Sequence, residues 1–129
     1  MGIIYSIDAE ARIVRLEFVG DISPDQWAGT LRAILRTPTY QPGFGFLVDR
    51  RNASPPTVEY VEFSIGLAML NERRLAGARW AVVTSSPASL EMARMGKTLA
   101  QGAGLPTPIQ VFDDVESAER WLRLSALRS

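Results

Sequence analysis

Short apolar runs alternate along this chain with segments that begin at helix-capping residues, and this alternation constrains the fold more than any other feature. The apolar runs predict strands at residues 3–8, 13–19, 44–49, 78–83 and 109–112. The segments after the second to fifth runs predict helices at about 24–36, 58–74, 87–103 and from 113 onward. Only a turn separates the first two runs, which predicts an antiparallel edge hairpin. Strands alternating with helices then predict an α/β fold with a mostly parallel sheet.

The helix starts are the most specific local signals. Ser23, Pro24 and Gln26 combine a capping hydroxyl, a proline at the first helical position and the amide that closes a capping box. Ser86 followed by Pro87 repeats the cap and the proline. Thr57 is predicted to cap the helix that begins at Val58, and Asp113 with Glu116 predicts a second capping box at the start of the last helix. These signals place four helices after the hairpin.

Composition removes several classes of function. The chain of 129 residues is expected to form one domain, residues 1–129, with 47% apolar residues to build a core. It has no cysteine and no histidine, which excludes disulfides, thiolate or imidazole catalysis and zinc sites of the usual ligand types. Fourteen basic residues balance fourteen acidic ones without a charged run, so the basic face of a nucleic-acid binder is missing.

No cofactor or metal site is predicted from the sequence, because the carboxylates show no clustered spacing. No apolar stretch approaches the ~20 residues that span a bilayer. The first residues also lack the positive-then-apolar layout of a signal peptide. We therefore expect a cytoplasmic protein.

The order and spacing of the elements resemble the SpoIIAA-like fold of STAS (anti-sigma-factor antagonist) domains, from about Val14 to Leu122. Three segments carry the resemblance: a strand ending in glycine and an acidic residue, an apolar strand ending in aspartate, and a closing strand with an acidic helix start. They are Val14–Asp21, Phe46–Asp49 and Val111–Ala118. The resemblance implies four β-α turns with an antiparallel N-terminal edge strand. The same β-α superhelix also resembles CRAL-TRIO (Sec14-like) domains, which carry lipids.

The regulatory motif of STAS antagonists has no counterpart here. Those proteins carry Asp-Ser-Ser-Gly-Leu at the start of the helix after the buried strand, and a kinase phosphorylates a serine in it. The corresponding positions are 57–61, where Val58 and Glu59 stand in place of the two serines. The resemblance therefore points to the uncharacterised bacterial STAS-like proteins that keep the scaffold without this switch.

Ligands in open α/β sheets favour the carboxyl ends of the strands. There, Arg50 and Arg51 stand beside Ser54 and Thr57, which predicts an anion site at the start of the following helix. The alternative is that Asp49 pairs with an arginine and that Thr57 only caps the helix.

A second hydroxyl-rich turn follows the next strand. Ser85 and Ser86 there offer phosphate-binding hydroxyls. The alternative is that Ser86 serves only as the cap of the helix that Pro87 opens. The turn also lacks a glycine that would let the backbone approach a ligand closely.

The helix from Val58 to Leu70 is apolar on two sides. One side carries residues 58, 61, 65, 68 and 69; the opposite side carries Tyr60, Phe63, Leu67 and Leu70. One side is expected to cover the sheet. The other needs a second cover, which is a neighbouring helix, a second subunit or an apolar ligand. Tyr60, Phe63, Leu67 and Leu70 are thus the candidate interface or apolar-ligand face.

Three functional hypotheses follow. The first is a non-catalytic STAS-like interaction or regulatory module, homodimeric through the 58–70 helix, with a protein partner. The second is a small carrier of an apolar or lipid-like ligand. The third, weaker one is an enzyme that uses Asp49, Arg50 and Ser54 on a phosphorylated substrate.

Overall fold

The computed structural model describes residues 2–127 and confirms the predicted α/β architecture. Its elements are β1 Gly2–Asp8, β2 Ile13–Gly20, α1 Pro24–Arg36, β3 Gly45–Ala53, α2 Val58–Leu70, β4 Arg79–Val83, α3 Pro87–Gly102, β5 Ile109–Phe112 and α4 Val115–Leu127. The strands lie in the order β1-β2-β3-β4-β5. β1 is antiparallel to β2, and the other neighbours are parallel. The antiparallel N-terminal edge strand is therefore as predicted.

Two layers of helices cover the sheet, and strand alternation decides which residues face each layer. On one face, Val14 and Phe46 pack with side chains of α1 and α2. On the other face, Ile13 and Leu47 pack with Leu122 of α4. Because successive residues of β2 and β3 are buried on opposite faces, these strands form the centre of both cores.

Local capping chemistry starts three helices as predicted. The Ser23 hydroxyl accepts from the backbone N–H of Gln26 at 3.1 Å, and the Gln26 side chain accepts from the backbone N–H of Ser23 at 2.8 Å. Thr57 and Ser86 accept in the same way from the third residue of their helices.

The predicted cap of α4 is one residue away from the observed one. Asp114, not Asp113, caps the helix, because its carboxylate accepts from both the backbone N–H and the hydroxyl of Ser117. Both hydrogen bonds lower the pKa of Asp114. The Ser117 hydroxyl donates to the cap rather than accepting from its backbone N–H, so the predicted capping box with Glu116 is not formed.

Two element ends also differ from the predicted ones. β3 continues to Ala53, four residues past the predicted end at Asp49. α2 ends at Leu70 rather than near Arg74, because the Asn71 side chain donates to the carbonyl of Leu67 at 2.9 Å and terminates the helix. Within the turns that follow, Leu75 is buried in the core and draws the chain toward β4.

Candidate functional site

The predicted anion site at the end of β3 divides between the two faces of the sheet. Arg51 donates to Asp49 through Nε at 3.0 Å and through Nη2 at 2.8 Å. These hydrogen bonds lower the pKa of the Asp49 carboxyl. Thr57 accepts from the backbone N–H of Tyr60 at 3.0 Å. Both features follow the alternative in which Asp49 pairs with an arginine and Thr57 caps α2.

Arg50 lies apart from this pair, beneath α2. Its side chain is buried, with 8% of the residue exposed, and its Nη2 donates to the carbonyl oxygen of Ser54 at 3.1 Å. The guanidinium carbon lies 5.0 Å from the ring centre of Phe18 and 5.4 Å from that of Tyr60. Arg50 and Ser54 therefore lie together, but Arg50 faces the protein interior.

The buried guanidinium of Arg50 lacks a counter-charge. It makes no ion pair with any carboxylate of residues 2–127. Its Nε is buried and has no hydrogen-bond partner in this part of the chain. Burial lowers the pKa of Arg50, although an arginine stays protonated in proteins. The cation is thus held in a largely apolar environment, where two aromatic rings, the Ser54 carbonyl and the Tyr60 hydroxyl stabilise it without a counter-charge.

Arg50 lies at a β-bulge of β3. Glu17 pairs with Asp49, whereas Val19 pairs with Asn52, so β3 has one more residue than β2 between these two pairs. Bulges of this kind re-aim side chains and occur next to functional sites. The sequence prediction ended the strand at Asp49 and therefore left Arg50 in a loop. Continued alternation from Phe46 through Val48 was the signal that would have assigned Arg50 to the face under α2.

A cavity of about 170 Å³ lies between the sheet and the helices α1, α2 and α3, and Arg50 forms part of its wall. Most of the wall is apolar, and its aromatic members come from β2, α1, α2 and β4: Phe18, Trp27, Tyr60 and Trp80. An engineered apolar cavity of roughly 150 Å³ binds benzene. The cavity is therefore large enough for a small organic molecule.

Ser89 contributes a second unsatisfied polar group to the same wall. It is 3% exposed, and its Oγ has no hydrogen-bond partner among the described residues. Its backbone N–H donates to Ser86 Oγ at 3.1 Å, which caps α3. Buried polar groups are normally hydrogen-bonded. Arg50 Nε and Ser89 Oγ are thus two unsatisfied hydrogen-bonding atoms of one cavity.

The two serines of the hydroxyl-rich turn after β4, Ser85 and Ser86, do not share the environment of Ser89. Ser86 caps α3, as its alternative role required, and Ser85 is exposed. The sequence analysis missed Ser89, although it lies three residues after the cap at the start of the predicted helix.

A second cavity, of about 470 Å³, lies at the amino ends of β4 and β5 and shares Ala68, Trp80 and Leu105 with the first. Its buried cation is Arg79, whose Nη1 donates to the carbonyl oxygens of Gly43 at 3.1 Å and Gly77 at 3.3 Å. Arg79 thereby connects two loops.

The candidate face of α2 is divided by the boundary of the core. Tyr60 and Leu67 pack against the core, whereas Phe63 is 40% exposed and Leu70 is 86% exposed. Val58 and Met69, assigned to the opposite side, are also about half exposed. The predicted grouping of Tyr60, Phe63, Leu67 and Leu70 on one face is thus only partly realised, because the inner face is rotated relative to the predicted one.

None of the helices within residues 2–127 combines the length and the apolar character that crossing a bilayer requires. In the same range, no three acidic residues gather into a group that would hold a metal ion.

No protein-family model and no curated protein matches the chain. Among solved structures, the chain is similar to an uncharacterised protein of the DUF3478 family, with a SpoIIAA-like fold, from Shewanella loihica PV-4. The superposition has a TM-score of 0.64 and covers 94% of each chain at 17% sequence identity. The protein has a SpoIIAA-like fold. In this SpoIIAA-like fold, the cavity lies under the first three helices, on the face of the sheet opposite α4.

Proposed function

We propose that the protein binds a small, largely apolar molecule in the cavity between the sheet and the helices α2 and α3. The observation that carries this proposal is one cavity lined by four aromatic side chains and by two buried polar atoms without partners. Ligand sites in proteins typically combine an apolar wall with a few polar groups that orient the ligand. This is the second of the three hypotheses drawn from the sequence, and it requires no catalytic residue.

The position of the cavity supports the same proposal. Its wall includes Arg50 near the carboxyl end of β3 and Leu105 before β5, so it extends along the inner face of α2. Transfer of apolar surface from water to such a wall contributes about 25 cal/mol per Å². A compact molecule of about six to ten carbon atoms fits the volume, by comparison with benzene in roughly 150 Å³.

Filling the cavity is the direct test of ligand binding. Ala93 lies on the cavity wall in α3, and Ala93→Leu adds three carbon atoms there. We expect this variant to weaken binding of 2-phenylethanol and phenylacetate by at least about tenfold, because the ligand and the new side chain compete for one close-packed volume. Binding is measured by titration of tryptophan fluorescence, since Trp27 and Trp80 line the cavity.

Ala88→Leu is the matched control, because Ala88 is an exposed residue of the same helix. It is expected to bind both probes as the original chain does. If Ala93→Leu fails to fold, Ala93→Val makes the same test with a smaller addition. Unchanged binding by a folded Ala93 variant, or no binding by the original chain, would contradict the proposal.

A second candidate is the homodimeric interaction module that the sequence analysis put first. The observation that favours it is a set of exposed apolar side chains on α2: Val58, Phe63, Met69 and Leu70. Phe63 and Leu70 lie on one side of the helix, and exposed apolar surface on a soluble protein can mark an interaction site. This surface points away from the cavity wall, so the two functions are compatible in one chain.

Leu70→Glu tests the dimer. Sedimentation equilibrium from about 1 to about 100 µM is expected to give a dimer mass that this substitution converts to a monomer mass, because association depends on protomer concentration. Leu124→Glu is the control, since Leu124 is also exposed but belongs to α4. A monomer mass for the original chain throughout this range would exclude the dimer.

A further inference from the structure

We infer that the ligand of the cavity is a small monocarboxylate whose carboxylate group pairs with the guanidinium of Arg50. This inference rests on the proposed function and names the chemical class of the ligand. It also assigns a role to Ser89, whose hydroxyl is a second hydrogen-bond donor on the wall.

The charge of Arg50 calls for an anion. The side chain is more than nine-tenths buried, and no carboxylate of residues 2–127 pairs with it. Buried charges in proteins are normally paired, because transfer of an unpaired ion from water is strongly unfavourable. The rings of Phe18 and Tyr60 stabilise the cation only in part. A bound carboxylate supplies the missing counter-charge.

The donor atoms of Arg50 are arranged to accept such a group. Nη2 is fixed by its hydrogen bond to the carbonyl of Ser54, which orients the whole planar guanidinium. Nε is buried and unpartnered within the described residues, on a side chain that lines the cavity. Charge-assisted hydrogen bonds between a guanidinium and a carboxylate are among the strongest in proteins. Arg50 is therefore pre-oriented with a donor left for a ligand oxygen.

The neighbouring hydroxyl groups also suit an acceptor. Burial raises the pKa of Tyr60, whose phenol therefore stays protonated at neutral pH. Ser89 Oγ has no partner in residues 2–127 and lies on the same wall. Neutral hydroxyls can donate to a carboxylate without adding a competing negative charge.

The small number of cations favours a monoanion over a phosphate. The other cation on the wall is Lys97, whose Nζ already donates to Gln110 Oε1 at 3.2 Å. A phosphate monoester carries a charge of about −1.5 to −2 and three acceptor oxygens at neutral pH. One free guanidinium donor cannot match these demands in an apolar cavity. We therefore select a carboxylate with an apolar body of about six to ten carbons, as the cavity volume indicates.

Three probes that share one phenyl ring separate the possibilities: phenylacetate, 2-phenylethanol and phenyl phosphate. The original chain is expected to bind phenylacetate at least about tenfold more tightly than either of the others, which corresponds to the strength of one charge-assisted hydrogen bond. Arg50→Met keeps a flexible apolar side chain but removes the charge. It should weaken binding of phenylacetate by about ten- to a hundredfold and leave 2-phenylethanol within about threefold.

Arg51→Met is the matched control, because Arg51 is the adjacent arginine but is exposed and pairs with Asp49. It should leave the order of the three affinities unchanged. In addition, Arg50→Met is expected to raise the thermal midpoint of the ligand-free protein, because it removes an unpaired buried cation. A purely structural role for Arg50 predicts a lower midpoint.

The outcomes of the titrations distinguish the carboxylate inference from the more general proposal that the cavity binds an apolar molecule. Equal binding of phenylacetate and 2-phenylethanol by the original chain would overturn the carboxylate inference and leave apolar ligand binding intact. Binding of neither would overturn both, and tightest binding of phenyl phosphate would overturn the choice of carboxylate. Retention of the preference by Arg50→Met would overturn the role of Arg50.

A measurement on the original chain makes the test independent of how the variants fold. The ¹⁵N–¹H resonance of Arg50 Nε should shift more during titration with phenylacetate than with 2-phenylethanol, because only the carboxylate accepts a charge-assisted hydrogen bond from it. A resonance that phenylacetate leaves unchanged at saturation would contradict the inference.

Discussion

Replacing Phe46 with alanine is expected to lower the free energy of unfolding by about 3–5 kcal/mol. Phe46 is 0% exposed and is the second residue of β3. Its ring stacks on Trp80 of β4, with the ring centres 4.2 Å apart and an angle of 11° between the planes. The truncation removes this contact and leaves a void that the surrounding strands and α1 cannot close, which adds a cavity cost to the lost burial.

Phe63→Ala is the matched control for Phe46→Ala, because it removes the same side chain from an exposed site on α2. Its expected cost is within about 0.5 kcal/mol, as for most surface substitutions. Urea unfolding of the three chains gives both values. A cost for Phe46→Ala no larger than that for Phe63→Ala would contradict the assignment of Phe46 to the core beside the cavity.

The second large effect concerns the opposite face of the sheet. Leu122→Ala is expected to lower the free energy of unfolding by about 2–5 kcal/mol. Leu122 is fully buried in α4 against Ile13 and Leu47, and it lies over Gly45, where a Cβ atom would be only 2.9 Å from its Cδ2. The absence of a side chain at position 45 lets the helix approach the sheet closely, so few atoms can move to fill the space that alanine leaves.

Leu124→Ala serves as the control, since Leu124 belongs to the same helix and is 53% exposed. Its helix propensity changes in the same direction, because alanine is the better helix former in both cases. The difference between the two variants in urea unfolding therefore isolates burial. Equal costs would mean that α4 does not pack on this face through Leu122.

The fold could be predicted because its signals are local. Ser23, Pro24 and Gln26 specify the start of α1 through three hydrogen-bonding and steric requirements that the neighbouring residues satisfy themselves. The alternation of Val14, Leu16 and Phe18 specifies a strand with one face toward the core on the side of α1 and α2. Such features do not depend on distant parts of the chain.

The site could be predicted only in part, because it depends on contacts between distant segments. The sequence analysis chose Arg50 as a candidate for anion binding, but it ended the strand at Asp49 and so did not place the side chain inside the fold. The continuation of β3 past Asp49 is made through pairing with β2, which is a property of two paired strands rather than of either one. Likewise, the cavity depends on Trp27 and Trp80, which are far apart in sequence and meet across the sheet face with ring centres 6.1 Å apart.

The orientation of α2 shows a different limit of prediction. Apolar residues surround most of this helix, so its periodicity alone does not decide which side faces the sheet. Tyr60 settles the orientation, because its ring packs on the buried guanidinium of Arg50. Phe63 and Leu70 then lie on the exposed side. A contact between two segments thus determines the orientation of α2, which the hydrophobic pattern alone does not determine.

The most direct test of ligand binding in the cavity is a crystal structure of the protein with 4-bromophenylacetate, with the bromine located by its anomalous scattering. We expect the bromine between the sheet and the helices α2 and α3, and a carboxylate oxygen within about 3.2 Å of Arg50 Nε. Bromine in the cavity with the carboxylate directed away from Arg50 would contradict the carboxylate inference alone. Bromine only in the second cavity beside Arg79, only on the protein surface, or nowhere at saturating ligand would contradict the central proposal.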